Sequence, residues 1–320
     1  MQKIYISFCL IVMLIGTGCD PKRQPDASTV DKLSVVTTIG MITDVVRNVG
    51  GDRVDVVGMM GPGIDPHLYK PTAKDVQRLS SAHIIFYNGL HLESKMGDIL
   101  AKMSGDTKAV AVSESVDRDQ LLKPPEFEGQ YDPHLWFDVT LWMKTVGKVR
   151  DTLSEYDPDH TLMYWSNAER YLAKLGELHQ YVETQAARVP SAQRVLVTAH
   201  DAFNYFGKAY GFEVRGLQGI STATEAGIAD VQELANFIAD RRIPAIFVES
   251  SVSSRSLEAV KAAVQSKGFN VEIGGELFSD AMGSEGTPEG TYIGMVRHNI
   301  DTIVNALTGE SGSQTAPTGE

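Results

Sequence analysis

From Leu33 onward, short runs rich in β-branched residues alternate with longer amphipathic stretches. A period-2 or fully apolar run followed by a 3.6-residue period reads as strand then helix, and repetition of that unit reads as a parallel sheet with helical crossovers. The predicted class is therefore α/β. In the first half the pattern places strands at 34–38, 53–57, 83–87 and 109–112, and in the second at 194–199, 212–217, 245–248 and 270–273, with a helical stretch after each.

The halves echo one another. Val36-Thr37 precedes Gly50 by thirteen positions, and Val197-Thr198 precedes Gly211 by the same interval, each spanning strand, helix and glycine stop. The same rhythm twice predicts two similar (βα)4 lobes rather than one large sheet. Between them, residues 157–189 form an amphipathic stretch bounded by Asp157-Pro158 and Val189-Pro190, with Gly176 the one internal glycine. Trp165, Ala168, Leu172, Leu175 and Val182 fall on one face of the helix this predicts. About thirty residues at 1.5 Å each reach roughly 45 Å, enough for a rigid spine along both lobes. The expected organisation is a first lobe at 33–156, a linking helix at 157–189, a second lobe at 190–308 and a disordered Ser/Thr/Gly-rich tail at 309–320.

The N-terminus departs from this pattern. Lys3 precedes an apolar run from Ile4 to Ile15, too short to span a bilayer, ending in Gly16-Thr17-Gly18 before Cys19. Residues 1–18 read as an export signal. The small residues before Cys19 resemble the lipobox at which bacterial lipoproteins are cleaved and acylated, although Gly16 stands where Leu is usual; a plain secretory peptide is the alternative. Residues 19–32 then form a lipidated Cys and polar tether, and Asp20 resembles the signal that retains lipoproteins at the inner membrane of Gram-negative cells. Cys9 is lost with the signal, so the mature chain cannot close an internal disulfide. The net charge of −12 over 320 residues, with no basic stretch interleaved with aromatics, argues against a nucleic-acid partner.

Of eight histidines, His83, His160, His179, His298 and His91 have ordinary strand, helix or junction placements. The other three do not. His67 lies in Asp65-Pro66-His67-Leu68 after the second strand, His134 in Asp132-Pro133-His134-Leu135 after the fourth, and His200 ends the first strand of the second half. All three belong to carboxyl ends of parallel strands, where ligands of open α/β sheets bind. Asp280, after the last strand, supplies a carboxylate from the same edge. Three imidazoles and one carboxylate suit Zn²⁺, Mn²⁺ or Fe²⁺ better than Ca²⁺ or Mg²⁺. An Asp two residues before His67 and His134 is a candidate to hold each ring. Glu249 and Glu225 are further supporting candidates, and Trp136 and Phe137 read as apolar packing that dries the cleft.

Taken together, Gly63-Ile64-Asp65-Pro66-His67, Tyr87-Asn88-Gly89-Leu90, Asp132-Pro133-His134-Leu135-Trp136, Thr198-Ala199-His200-Asp201 and Gly274-Gly275-Glu276-Leu277-Phe278-Ser279-Asp280 resemble the TroA-type family of metal receptors across almost the whole mature chain. The resemblance implies a periplasmic solute-binding protein with two lobes, a rigid connecting helix and one ion held at their interface by His67, His134, His200 and Asp280. Manganese-dedicated members place Glu where this chain has His200. Zinc-dedicated members often carry a His-rich loop before the second ligand, whereas residues 121–131 contain no His.

The expected cargo is zinc or manganese, with zinc bound more tightly by three imidazoles. Neutral rings ready to ligate, and weaker capture in acid, are expected of the metal-free cleft. The implied partner is an ABC permease with a separate ATPase subunit, since this chain has no P-loop, and the receptor is expected to act as a monomer. Two other functions are the alternatives. An exported zinc hydrolase needs an open coordination position and a general base, neither of which the four-ligand set offers. A surface adhesin finds no adhesive repeat.

Overall fold

The computed structural model describes residues 32–102, 107–127 and 129–310. The signal, Cys19, nearly all of the tether and the tail from residue 311 lie outside them. Two four-stranded parallel sheets are present. The first comprises β1 (Leu33–Thr37), β2 (Val54–Gly58), β3 (Ile84–Tyr87) and β4 (Lys108–Ala111) in the order β2-β1-β3-β4. The second comprises β5 (Val195–His200), β6 (Glu213–Gln218), β7 (Ala245–Glu249) and β8 (Glu272–Leu277) in the equivalent order β6-β5-β7-β8. Each sheet reverses its winding beside its first strand, and connections leaving neighbouring strands in opposite directions open a crevice there.

Helices α1 (Gly40–Gly50), α2 (Ala73–Ser81), α3 (Gly97–Lys102) and α4 (Val139–Tyr156) belong to the first half, and α6 (Asn204–Tyr210), α7 (Ile228–Arg241), α8 (Arg255–Ser266) and α9 (Tyr292–Thr308) to the second. Gly211 adopts a left-handed conformation, φ 75°, as it closes α6. The predicted strands all form, most displaced by a single residue. The largest shift is β8, expected at 270–273 and found at Glu272–Leu277, so that Gly274-Gly275 lies within the strand. A Cβ on Gly274 would lie 2.7 Å from both Ala306 Cβ and Phe247 Cε1, so glycine lets α9 and the neighbouring strand approach the sheet edge.

The predicted spine is α5 (Thr161–Arg188), entered through a 3-10 turn at Pro158–His160. Its buried stripe is Tyr164, Ala168, Tyr171, Leu175, Leu178, Val182 and Ala186. The face expected from sequence is therefore rotated. Trp165 is 43% exposed, with the Arg150 guanidinium 3.7 Å above its ring. Tyr164 takes the inward position because its hydroxyl can donate to Asp157 Oδ2, at 2.7 Å. Polar bonds fasten the spine to both halves: Asn167 Nδ2 donates to Val49 O at 2.9 Å, and Tyr181 Oη to Asp301 Oδ1 at 2.7 Å.

One hydrophobic core runs through both halves, joining Val36, Trp136 and Leu153 to Phe203, Phe247 and Tyr292, while a second covers the outer face of the β5–β8 sheet. A core continuous across the lobe boundary resists wide separation, since opening it would expose large apolar surface.

Candidate metal site

β5 and β7 are adjacent parallel strands ending in His200 and Glu249, so these two side chains meet where the second sheet reverses. His67 arrives from the loop after β2, His134 from the loop after β4 and Asp280 from the loop after β8. All four predicted residues converge and all are buried. His67 Nε2 lies 3.3 Å from His134 Nε2 and 3.5 Å from Asp280 Oδ2. His134 Nε2 stands 3.3 Å from Asp280 Oδ1, and His200 Nε2 3.3 Å from Asp280 Oδ2. Among the described residues, neither Asp280 oxygen nor His200 Nε2 makes a hydrogen bond of good geometry beyond these ring contacts. Burial of such groups is costly unless a cation satisfies them together.

Behind the cluster, a single oxygen of Asp132 accepts from both the backbone and Nδ1 of His134, at 2.9 and 2.8 Å. Glu249 does the same for His200 with its two oxygens, at 2.8 Å from the backbone N and 2.5 Å from Nδ1. Asp65 differs from the role expected of it: it accepts from the His67 backbone N at 2.8 Å and makes no bond to the ring, while its other oxygen accepts from Thr222 Oγ1 at 2.6 Å. Glu225, the other supporting candidate, is exposed in the loop after β6 and bonds none of the four.

These carboxylates divide the rings electrostatically. Burial pushes His67 down to about 3, with Asp280 opposing and the other two rings assisting. Burial likewise disfavours charge on His134, but Asp132 and Asp280 outweigh it and hold the ring up at about 9. At His200 burial is overcome by Glu249 and Asp280, leaving it well above its ordinary value. Burial favours the neutral acid at Asp280, yet His200 and His134 hold it well below the usual carboxylate range. Burial therefore favours the neutral ring at His67, whereas the carboxylates beside His134 and His200 favour their charged forms.

Aromatic packing seals the rear of the cluster as expected. Trp136 is fully buried edge-on to His134, ring centroids 5.2 Å apart, and its Nε1 donates to Ser279 O at 3.1 Å; Phe137 stacks on Phe203 at 4.1 Å. Three supporting residues escaped sequence reasoning. Asn204 donates to Asp132 Oδ2 at 3.1 Å, and Thr222 to Asp65. Glu93 gathers Thr38 Oγ1 and the Asn88 and Gly89 amides, after which Asn88 Nδ2 donates to Pro133 O at 3.0 Å. None of these stands in a pattern that distinguishes it from an ordinary polar loop residue.

The pattern of the family described as zinc-uptake complex component A, periplasmic (ZnuA), matches residues 35–306. The chain belongs to this ZnuA family. A zinc-binding protein, TroA of Treponema pallidum (strain Nichols), is 54% identical over 308 residues, covering 96% of this chain and 99% of that protein. The manganese-binding lipoprotein MntA of Bacillus subtilis (strain 168) is 45% identical over 308 residues, covering 96% and 100%. The solved structure of the periplasmic zinc-binding protein TroA from T. pallidum superimposes with a TM-score of 0.85 over 86% of this chain and 99% of that one. The two-lobed α/β architecture of this ZnuA-family chain is thus also that of a solved relative.

Proposed function

We propose that this chain is an extracytoplasmic solute-binding protein that captures one divalent transition-metal ion with His67, His134, His200 and Asp280 and delivers it to an ABC permease powered by a separate ATPase subunit. The observation that carries this reading is the convergence of three imidazole Nε2 atoms on a buried carboxylate that, among the described residues, no well-formed hydrogen bond satisfies. The donor atoms of all four residues lie within 4.8 Å of one another, with contacts of 3.3–3.5 Å from each ring to Asp280, close enough to share a single ion. Two Asp280 oxygens facing the rings also suit a five-coordinate ion.

Zinc and manganese are both candidate cargoes, as the names of the relatives divide between them. Three imidazoles favour zinc, because nitrogen-donor affinity is higher for Zn²⁺ than for Mn²⁺. Four protein ligands and no general base on the cluster favour transport over hydrolysis. The reading extends to a periplasmic, monomeric receptor anchored at the inner membrane through Cys19, with lobes at 33–156 and 190–308 about the 157–189 helix. Relatives named lipoproteins support the anchor.

The deciding experiment is a competition titration of metal-stripped protein, lacking residues 1–19, with zinc and manganese against a chelator of known affinity. One tight site per chain is expected, with zinc the tighter ion, lost on His67→Ala and on Asp280→Ala. No tight site for either ion overturns the reading.

A further inference from the structure

The three rings are not held equally. His134 and His200 each have a carboxylate on Nδ1, whereas the His67 ring has no such bond among the described residues. Their surroundings differ in the same sense. The His134 loop is joined to the second half by Asn204 and Tyr205 on Asp132, at 3.1 and 3.0 Å, and by Trp136 on Ser279 O, at 3.1 Å. His67 sits in residues 59–72, which contain no helix or strand and carry Ile64 and Leu68 at 40% and 46% exposure.

Among the described residues, one direct hydrogen bond crosses from this loop to the second half: Thr222 Oγ1 to Asp65 Oδ2, 2.6 Å. Asp65 Oδ1 accepts from the His67 backbone N, so a single carboxylate connects Thr222 to the backbone that carries the ring. Thr222 is buried, while Ala223, Thr224 and Glu225 beside it are exposed. The bond therefore joins two irregular segments beside exposed residues, whereas Trp136, Phe137 and Phe203 pack the His134 side.

We propose that the Thr222–Asp65 hydrogen bond is the latch of the metal site: when made it seats His67 against the ion, and when broken it frees the 59–72 loop to let the ion pass, while His134, His200 and Asp280 stay fixed. Thr222 is a positioning residue, acting through Asp65 on His67. The inference rests on the proposed capture of a metal by this cluster.

The test is stopped-flow exchange of zinc with excess chelator. Thr222→Val keeps the side-chain shape and removes the donor; Thr222→Ser keeps the donor. With Val, one zinc per chain is retained and both dissociation and association accelerate about tenfold, as expected for losing a hydrogen bond to a charged group. With Ser, both rates stay within about twofold of the unmodified protein, since the donor persists. Association separates a latch from general loosening, which does not speed capture. An unchanged dissociation rate in Thr222→Val, a faster dissociation without faster association, loss of the bound zinc in that variant, or a Ser variant as fast as Val overturns the latch. Absence of zinc binding by the unmodified protein overturns instead the metal reading on which it rests.

Discussion

One oxygen of Asp132 receives two hydrogens from His134, the backbone N–H at 2.9 Å and the Nδ1–H at 2.8 Å, so both the position of the loop and the direction of the ring depend on the same atom. With Nδ1 committed, Nε2 is the nitrogen left to face Asp280. Asp65 stands at the equivalent place in the earlier Asp-Pro-His-Leu and performs only the first of these tasks. Replacing Asp132 by Ala is expected to weaken zinc binding about 10- to 100-fold, the usual effect of losing a carboxylate behind a ligating histidine. Competition titration reads the change, and an unaltered Kd contradicts the role.

Glu249 is the corresponding support for His200. Glu249→Gln keeps an acceptor for the backbone amide but loses a full charge beside Nδ1. Its Kd for zinc should rise about tenfold, with the apo protein still folded by circular dichroism. A Kd within twofold of the unmodified protein, roughly the scatter of such titrations, argues against the charge being needed.

Protons compete with the ion for His134 and His200. His134 is held at about 9 and His200 well above its ordinary value, so near pH 7 each loses a proton when its Nε2 bonds a metal; His67, at about 3, loses none. Zinc affinity should therefore rise with pH up to about 9. The sign for the apo fold is opposite. A ring raised from 6.5 to about 9 contributes stability present in full below pH 6.5 and lost as the pH passes 9. Calorimetry of zinc binding in buffers of different ionisation enthalpy counts the released protons; zero release at pH 7 is incompatible with these shifts.

Metal preference should respond to residue 200. His200→Glu exchanges an imidazole for a carboxylate, and because harder oxygen donors suit manganese, zinc affinity should fall more than manganese affinity. Parallel titrations with the two ions give the ratio directly. Equal shifts for both would falsify the idea.

Gly216 pairs with Thr198 in the register of β6 on β5. A Cβ there would lie 2.5 Å from Asp201 N and 2.7 Å from His200 C, backbone that cannot move without carrying His200 with it. Gly216→Ala should destabilise the apo protein by about 1–3 kcal/mol, in the range of overpacking, and weaken zinc binding as well. Thermal melting and titration of the same variant test both parts; a loss of stability with unchanged affinity would separate the strand from the site.

Much of the fold was legible because strand and helix periodicities are local. The alternation from Leu33 onward placed all eight strands, and strand ends named His67, His134, His200 and Asp280 as neighbours before any contact was known. Errors arose where a second element competes for a residue. Trp165 fits the apolar stripe of the spine by spacing, but Tyr164 turns inward because Asp157 accepts its hydroxyl. The last strand was expected to end at 273, but continues through Gly274-Gly275, whose missing side chains admit α9.

By itself, then, the sequence determined the α/β class and the repeated strand–helix rhythm of two lobes, which follow from periodicity, and named the four residues that meet through strand ends together with the family resemblance. Tertiary structure alone decided which carboxylate serves which ring, why carboxylates favour charge on His134 and His200 while burial disfavours it on His67, and how Thr222 reaches Asp65 across 157 positions. Those outcomes depend on distances between segments remote in the chain and on burial that removes water from between charges, and neither is written in the order of nearby residues.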